Sequence, residues 1–183
     1  MSSAAGVEYS GLFFVASANA AAPRDPFFDV IISHETAHEW FYASVGSDPM
    51  EEPWLDEALA TYASNVFLSL IVSEASAQTE RAAWASVYDR AKQAHPDLAV
   101  TSAVYDFPDS ETYASFVYSG GALELDALRQ EMGDDVFFAA LREYASSYHA
   151  AIATGADLCE SFAAAGGSPS ASVLCGGEAS ASP

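Results

Sequence analysis

The pattern of apolar and polar positions sorts the chain into a short β-prone start followed by a run of helices. Residues 5–18, which include GVEYSGLFFVASA, are apolar and β-prone and predict one or two strands. Asp25-Pro26 then reads as a helix start, with aspartate as N-cap and proline at the first helical position. That helix is expected to run through FFDVIISHETAHEWFYASV and to stop near Gly46. After the loop GSDPMEEP, Pro53 opens a second helix through WLDEALATYASNVFLSLIV, and a third, amphipathic one covers roughly residues 76–94.

The stretch PDLAVTSAVYDFPDS predicts irregular structure. Helix resumes from about Glu111, through TYASFVYSGGALELDALRQEM to Gly133. Asp134-Asp135 open a further helix to about Tyr148, and DLCESFAAA predicts a short last one. The expectation is a mostly α (α+β) protein with a small N-terminal β element. Residues 1–166 form the folded domain, and residues 167–183 a Gly/Ser/Ala-rich tail.

Composition narrows the partners. The 183 residues suffice for one core, and 51% hydrophobic residues exclude a disordered acidic tail. The net charge of −20 comes largely from missing bases: Lys92 is the only lysine, beside five arginines. Such a surface repels nucleic acid and anionic lipid, so neither is expected as a partner. No segment approaches the ~20 apolar residues of a membrane span. The first residues, MSSAAGVEYSGLFFVASANAAAP, lack a basic n-region, and Glu8 interrupts them, so they read as mature structure rather than a signal peptide. A lysine-poor acidic chain fits a secreted or a salt-adapted protein, and a secreted or extracytoplasmic location is the reading adopted. Cys159 and Cys175 can pair as one disulfide or remain two thiols; their spacing leaves both open.

The chemistry lies in HETAHEW, His34 to Trp40. A helical i, i+4 pair puts His34 and His38 on one face, where both imidazoles reach one ion. Catalytic zinc takes three protein ligands and leaves a fourth position for water. Glu35 points toward that water and can act as general base once zinc lowers its pKa toward ~7. The plainer reading is two half-buried, hydrogen-bonded histidines, but burying such a trio in an apolar helix is costly unless the groups are paired or bound. The missing ligand is Glu57 in WLDEALATY, separated from His38 by residues 39–56. A short interhelical loop brings it beside the histidines. Alone, Glu57 reads as a solvated acid favoured by a helix N-terminus.

HETAHEW followed by WLDEALA resembles the HExxH…WLNEGFA signature of the aminopeptidase N-type zinc metallopeptidases, gluzincins with a thermolysin-like catalytic domain. GVEYSGL at positions 6–12 is similar to the family's Gly-Met-Glu-(Asn/Tyr)-Pro-Gly segment lining the substrate cleft. VYSGGALELDALRQEMGDDVFFAALREY resembles its Tyr-x-Lys-Gly-Ala…Leu segment and the helix after it, so the likeness spans roughly residues 6–162. The resemblance implies one zinc per chain on His34, His38 and Glu57, with Glu35 as base. It further implies Tyr118 as the oxyanion donor and Glu8 as the partner of a peptide's α-amino group. On its own Tyr118 would be an ordinary helix-face aromatic and Glu8 an unremarkable strand acid.

Departures are Val7 for methionine, Ser10 for proline, Gly120 for lysine and Ala58 for glycine. None removes a ligand, base or oxyanion donor, but each touches substrate preference. The family's usual β-rich domain before this region and helical domain after it are missing from the sequence, so the chain is expected to be a fragment of a longer architecture. The expected function is a zinc-dependent aminopeptidase acting on peptides. An endopeptidase of the same fold, or a zinc-stabilised binding domain with little activity, are the alternatives. Oligomeric state is not readable.

Overall fold

A computed structural model describes residues 5–23, 25–167 and 172–176. The N-terminal stretch is a hairpin, β1 (Gly6–Tyr9) antiparallel to β2 (Leu12–Val15), with Tyr9 opposite Leu12. The two-residue connection Ser10-Gly11 needs a positive φ, and Gly11 supplies it at +76°. Gly11 N–H donates to Glu39 Oε2 at 3.0 Å, which fastens the hairpin tip to the chain just beyond the HETAH helix.

A four-residue helix, α1 (Ser17–Ala20), leads to α2 (Pro26–Ala37). Asp25 caps α2 by accepting from Phe27 N–H at 3.0 Å, with Pro26 opening the helix as expected. The other end corrects the sequence reading. α2 stops at Ala37 rather than near Gly46, and His38 is its C-cap. No glycine or proline marks this stop; long-range pairing causes it. β3 (Val45–Gly46) lies parallel to β4 (Ala151–Ile152), flanked by Ala150 N–H to Ser44 O at 2.7 Å and Ala153 N–H to Gly46 O at 2.8 Å. To reach that ladder, the chain turns through Trp40–Ser44 with Tyr42 at φ 142°.

α3 (Trp54–Phe67) runs on through a π-helical segment, Leu68–Val72. It is the spine of the core: Trp54, Leu55, Ala58, Leu59 and Tyr62 are all buried. By length and composition Trp54–Val72 would suffice to cross a membrane, where the sequence reading expected no such segment. More than half of it (56%) is buried within the chain itself, and it carries Asp56 and Glu57 in its first turn, so its apolarity is used against its own neighbours.

α4 (Glu74–Ala94), capped by Ser73, packs on α3 and more extensively on residues 115–120. Residues 95–109 are irregular apart from a 3-10 turn at Val104–Asp106, as expected. The next helix is one rod in three parts: α5 (Ser110–Ala114), a π-helical segment Ser115–Gly120, and α6 (Gly121–Met132). α7 (Asp134–Ser147) and α8 (Gly155–Ala164) close the bundle, with Phe137 stacked on Phe162 at 5.4 Å. Cys159 and Cys175 form a disulfide with Cα atoms 5.7 Å apart, resolving the alternative left open above. It holds a 3-10 turn, Val173–Cys175, whose Leu174 is buried against the core; residues 168–171 and 177–183 of the expected tail lie outside the described residues.

Candidate metal centre and cleft

α2 and α3 pack against each other, and their meeting point gathers the predicted ligands. His34 Nε2 and His38 Nε2 lie 3.1 Å apart, and Glu57 Oε2 is 3.3 Å from the first and 3.5 Å from the second. Three lone-pair donors thus share a volume in which each is within 4.8 Å of the others. Glu57 Oε2 is buried with no well-aligned donor. A buried carboxylate oxygen is costly without a partner, and two imidazoles plus one carboxylate form a donor set suited to zinc. The residues therefore fit the ion.

What orients the histidines was not foreseen. His38 Nδ1 donates to Asp56 Oδ1 at 2.5 Å and faces Phe41 O at 3.2 Å. Both partners are acceptors, so Nδ1 carries a proton, and Nε2 faces Glu57 and His34, where its lone pair can serve a metal that displaces the proton there. Asp56 is 4% exposed and His38 2%, which makes this contact effectively dry. Burial alone would lower the His38 pKa, but the hydrogen bonds it donates to the Asp56 and Glu57 carboxylates outweigh it and push the ring up to about 11. Burial likewise raises Asp56; the proton shared by the pair stays on the histidine. Glu57 is held at about 2: burial raises it, and hydrogen bonds from the two histidines more than reverse that. Thr61 Oγ1 lies 3.4 Å from His34 Nδ1, and the His34 ring stacks on Tyr118 at 5.8 Å and 16°.

Glu35 is buried, 6% exposed, with Oε2 lacking any partner. Burial raises its pKa, with His34 and His38 pulling it back. Gly6 of β1 packs directly on it: a Cβ there would fall 2.3 Å from Glu35 Oε1. Glu8, two residues along the same strand face, brings a carboxylate oxygen within 4.8 Å of donor atoms of Glu35 and His38. Tyr118, on the π-helical segment, has its hydroxyl pushed well above the usual phenol range by burial and the nearby Glu57 carboxylate.

All these groups border a cleft of about 690 Å³ or the ligand cluster in its wall. The six residues singled out in the sequence, His34, His38, Glu57, Glu35, Tyr118 and Glu8, therefore come together. Sequence reasoning missed Asp56, Gly6 and Thr61, and also Glu80 of α4, which lines the same cleft. Asp56, in the first turn of α3, carries no signal in the sequence beyond that of an acid at a helix start. Glu80, on α4, had no local signal.

Comparison with known proteins agrees with this geometry. The family model described as "Peptidase family M1 domain" matches residues 6–174. A probable aminopeptidase 2 from Sulfurisphaera tokodaii is 24% identical over 148 residues, covering 79% of this chain and 19% of its own length. The aminopeptidase N of Lactococcus lactis subsp. cremoris is 26% identical over 168 residues, covering 85% and 19%. The chain thus spans about a fifth of the length of these curated relatives. Among solved structures, an M1 zinc metallopeptidase from Deinococcus radiodurans superposes with a TM-score of 0.70 at 22% identity, covering 99% of this chain and 38% of that one. A variant of a Deinococcus radiodurans M1 enzyme bound to a Tyr-Ser-Ala substrate gives 0.69 at 23%, covering 94% and 36%. These neighbours share the helical fold with its small β element. Because one uninterrupted match takes in the β1–β2 hairpin, both ligand-bearing helices and the Tyr118 segment, the chain belongs to peptidase family M1.

Proposed function

We propose that the protein is a zinc-dependent peptidase that cleaves the bond next to a peptide's free N-terminus. The observation that carries this reading is the convergence of two imidazoles, the Glu57 carboxylate and a second buried carboxylate, Glu35, with Glu57 Oε2 and Glu35 Oε2 both unpartnered, on one cleft wall. His34 Nε2, His38 Nε2 and the Glu57 carboxylate would hold one zinc ion. Zinc bound there supplies Lewis acidity and a water nucleophile at neutral pH.

The chain's own groups do the rest. Glu35 takes the proton of the attacking water on its free Oε2, a role suited to a carboxyl whose pKa is raised by burial. Its short distance from Gly6 keeps that carboxylate from swinging away. The Tyr118 hydroxyl, kept protonated by its surroundings, donates to the oxyanion as negative charge develops. Glu8 accepts from the substrate's α-ammonium, and its place beside Glu35 supports cleavage at the N-terminal residue. The aminopeptidase names of the relatives support the same choice. The disulfide supports work in an oxidising, extracytoplasmic compartment.

Zinc reconstitution followed by metal analysis is expected to give one zinc per chain, with hydrolysis of a free-amine tripeptide that stops on chelation. Glu35→Gln should keep the zinc and lose turnover by roughly 10²–10⁴-fold. Absence of zinc after reconstitution refutes the reading. Equal cleavage of the free and N-acetylated peptide refutes the aminopeptidase part and favours an endopeptidase.

A further inference from the structure

The cleft continues past the metal ligands along α3. Glu57, Thr61 and Ser64 line it on successive turns, so it extends about two helical turns, on the order of 10 Å, beyond the third ligand. Thr61 and Ser64 are small and leave the space open. At that end α4 supplies Glu80 and, one turn on along the same face, Trp84. Val30 and Phe27 of α2 line the cleft as well and are apolar.

Glu80 is held in place and has charge to spare. Its Oε2 accepts from Asn65 Nδ2 at 2.7 Å, and that amide is itself fixed by donating to Ala77 O at 3.0 Å. Arg81, adjacent in sequence, is committed elsewhere: one nitrogen donates to Asn65 Oδ1 at 2.6 Å, another pairs with Glu74, and Nε lies 3.8 Å from Asp126. No lysine or arginine lines the cleft among the described residues. Burial in the cleft wall raises the Glu80 pKa, as befits a carboxylate partly stripped of water, while the Asn65 bond, His34 and Arg81 partly offset this.

A long apolar-walled channel ending in a fixed carboxylate beside an indole matches one kind of side chain. Lysine and arginine carry an aliphatic stem that packs on apolar walls and a cationic head that pairs with carboxylate and with an aromatic face. Building on the peptidase reading above, we propose that Glu80 is a specificity-determining residue that receives the cationic head of a lysine or arginine flanking the scissile bond. Glu8 then serves the α-amine and Glu80 the side chain, two carboxylates with separate cations. The net charge of −20 draws basic peptides toward the cleft in the first place.

The test uses tripeptides X-Ala-Ala and Ala-X-Ala, with X arginine, lysine, norleucine or glutamate, on the zinc-loaded chain and its E80Q and E80K variants. E80Q keeps the volume and the acceptor for Asn65 while removing the charge, and circular dichroism checks its fold. At one of the two positions, kcat/KM for lysine and arginine should exceed that for norleucine by about tenfold. That ratio should fall to about one in E80Q and turn in favour of glutamate in E80K. Calorimetric binding of the same peptides to Glu35→Gln, with and without E80Q, reads the preference without turnover. A lysine-to-norleucine binding ratio that collapses with E80Q upholds Glu80, and if the zinc-loaded chain with Glu35 intact then hydrolyses none of the peptides, the peptidase reading alone falls. Equal handling of lysine and norleucine by the wild-type chain at both positions overturns the proposal, as does a preference that survives in E80Q.

Discussion

Replacing Asp56 should weaken zinc binding without touching a ligand, and the structure sets how far. Asp56 fixes His38 through a 2.5 Å bond between two nearly inaccessible groups. It orients the ring, holds the proton on Nδ1 and adds negative charge behind the donor atom. Losing such an outer partner costs roughly 10- to 100-fold in metal affinity, about 1.4–2.8 kcal/mol. Two features refine that range. Phe41 O, 3.2 Å from the same nitrogen, remains as a weaker acceptor and limits the loss of orientation. Working against this, Asp56 also helps lift the His38 pKa to about 11, so in the metal-free protein it favours a competing proton on Nε2. Zinc carries twice a proton's charge, so removing the carboxylate weakens zinc more than its competitor, and the net effect is a loss.

We expect Asp56→Asn, which keeps an acceptor oxygen, to bind zinc about 10-fold more weakly, and Asp56→Ala about 100-fold. Competition against a chromophoric chelator measures the dissociation constant, and thermal melts of the metal-free proteins separate affinity from unfolding. A dissociation constant for Asp56→Ala within twofold of wild type, on a folded protein, would show that Asp56 merely fills space.

Three further outcomes follow from contacts described above. Tyr118→Phe should lower kcat by roughly 10²–10³-fold with KM and zinc content little changed; steady-state kinetics with metal analysis decides, and an unaltered kcat removes the oxyanion role. Gly6→Ala drives a methyl group to within 2.3 Å of Glu35 Oε1, so kcat should fall at least about tenfold while zinc stays bound. A fully active Gly6→Ala would mean that Glu35 tolerates displacement. Cys159→Ser with Cys175→Ser should destabilise the fold by about 3 kcal/mol, read from denaturant titration, because the bond spans a sequence separation of 16; no change would show that Leu174 docks without the tie.

The site was far more legible than its supports. HETAH and WLDEALA announce themselves because metal chemistry demands particular donors at particular helical spacings, and the helix starts that bear them are written locally, at Asp25-Pro26 for α2 and at Pro53 for α3. The end of α2 was not legible: WFYASV contains no breaker, and what stops the helix is a two-residue pairing with Ala151–Ile152, more than a hundred positions away. Two-residue strands leave no periodicity to read. Asp56 was hidden for a different reason, since a carboxylate at a helix start looks like an ordinary partner of the helix dipole. Glu80 became visible only once α4 had been laid against α3, a tertiary fact carried by residues scattered from Asn65 to Trp84.

The Tyr118 rod shows how one helix meets two neighbours. In an uninterrupted α-helix, residues 118 and 121 would lie nearly along one line of the surface. The π-helical turns at Ser115–Gly120 widen the coil, so the stretch before them and the stretch after them are out of phase. Tyr118 can stack on His34 while Gly121 sits so close to Ala58 that a Cβ there would fall 2.4 Å from the alanine's own. Removing one residue from this segment would restore the phase and force a choice: the rod could keep its seat on α3 or its tyrosine in the cleft, but not both. Length in this segment is thus what keeps the Tyr118 ring against His34.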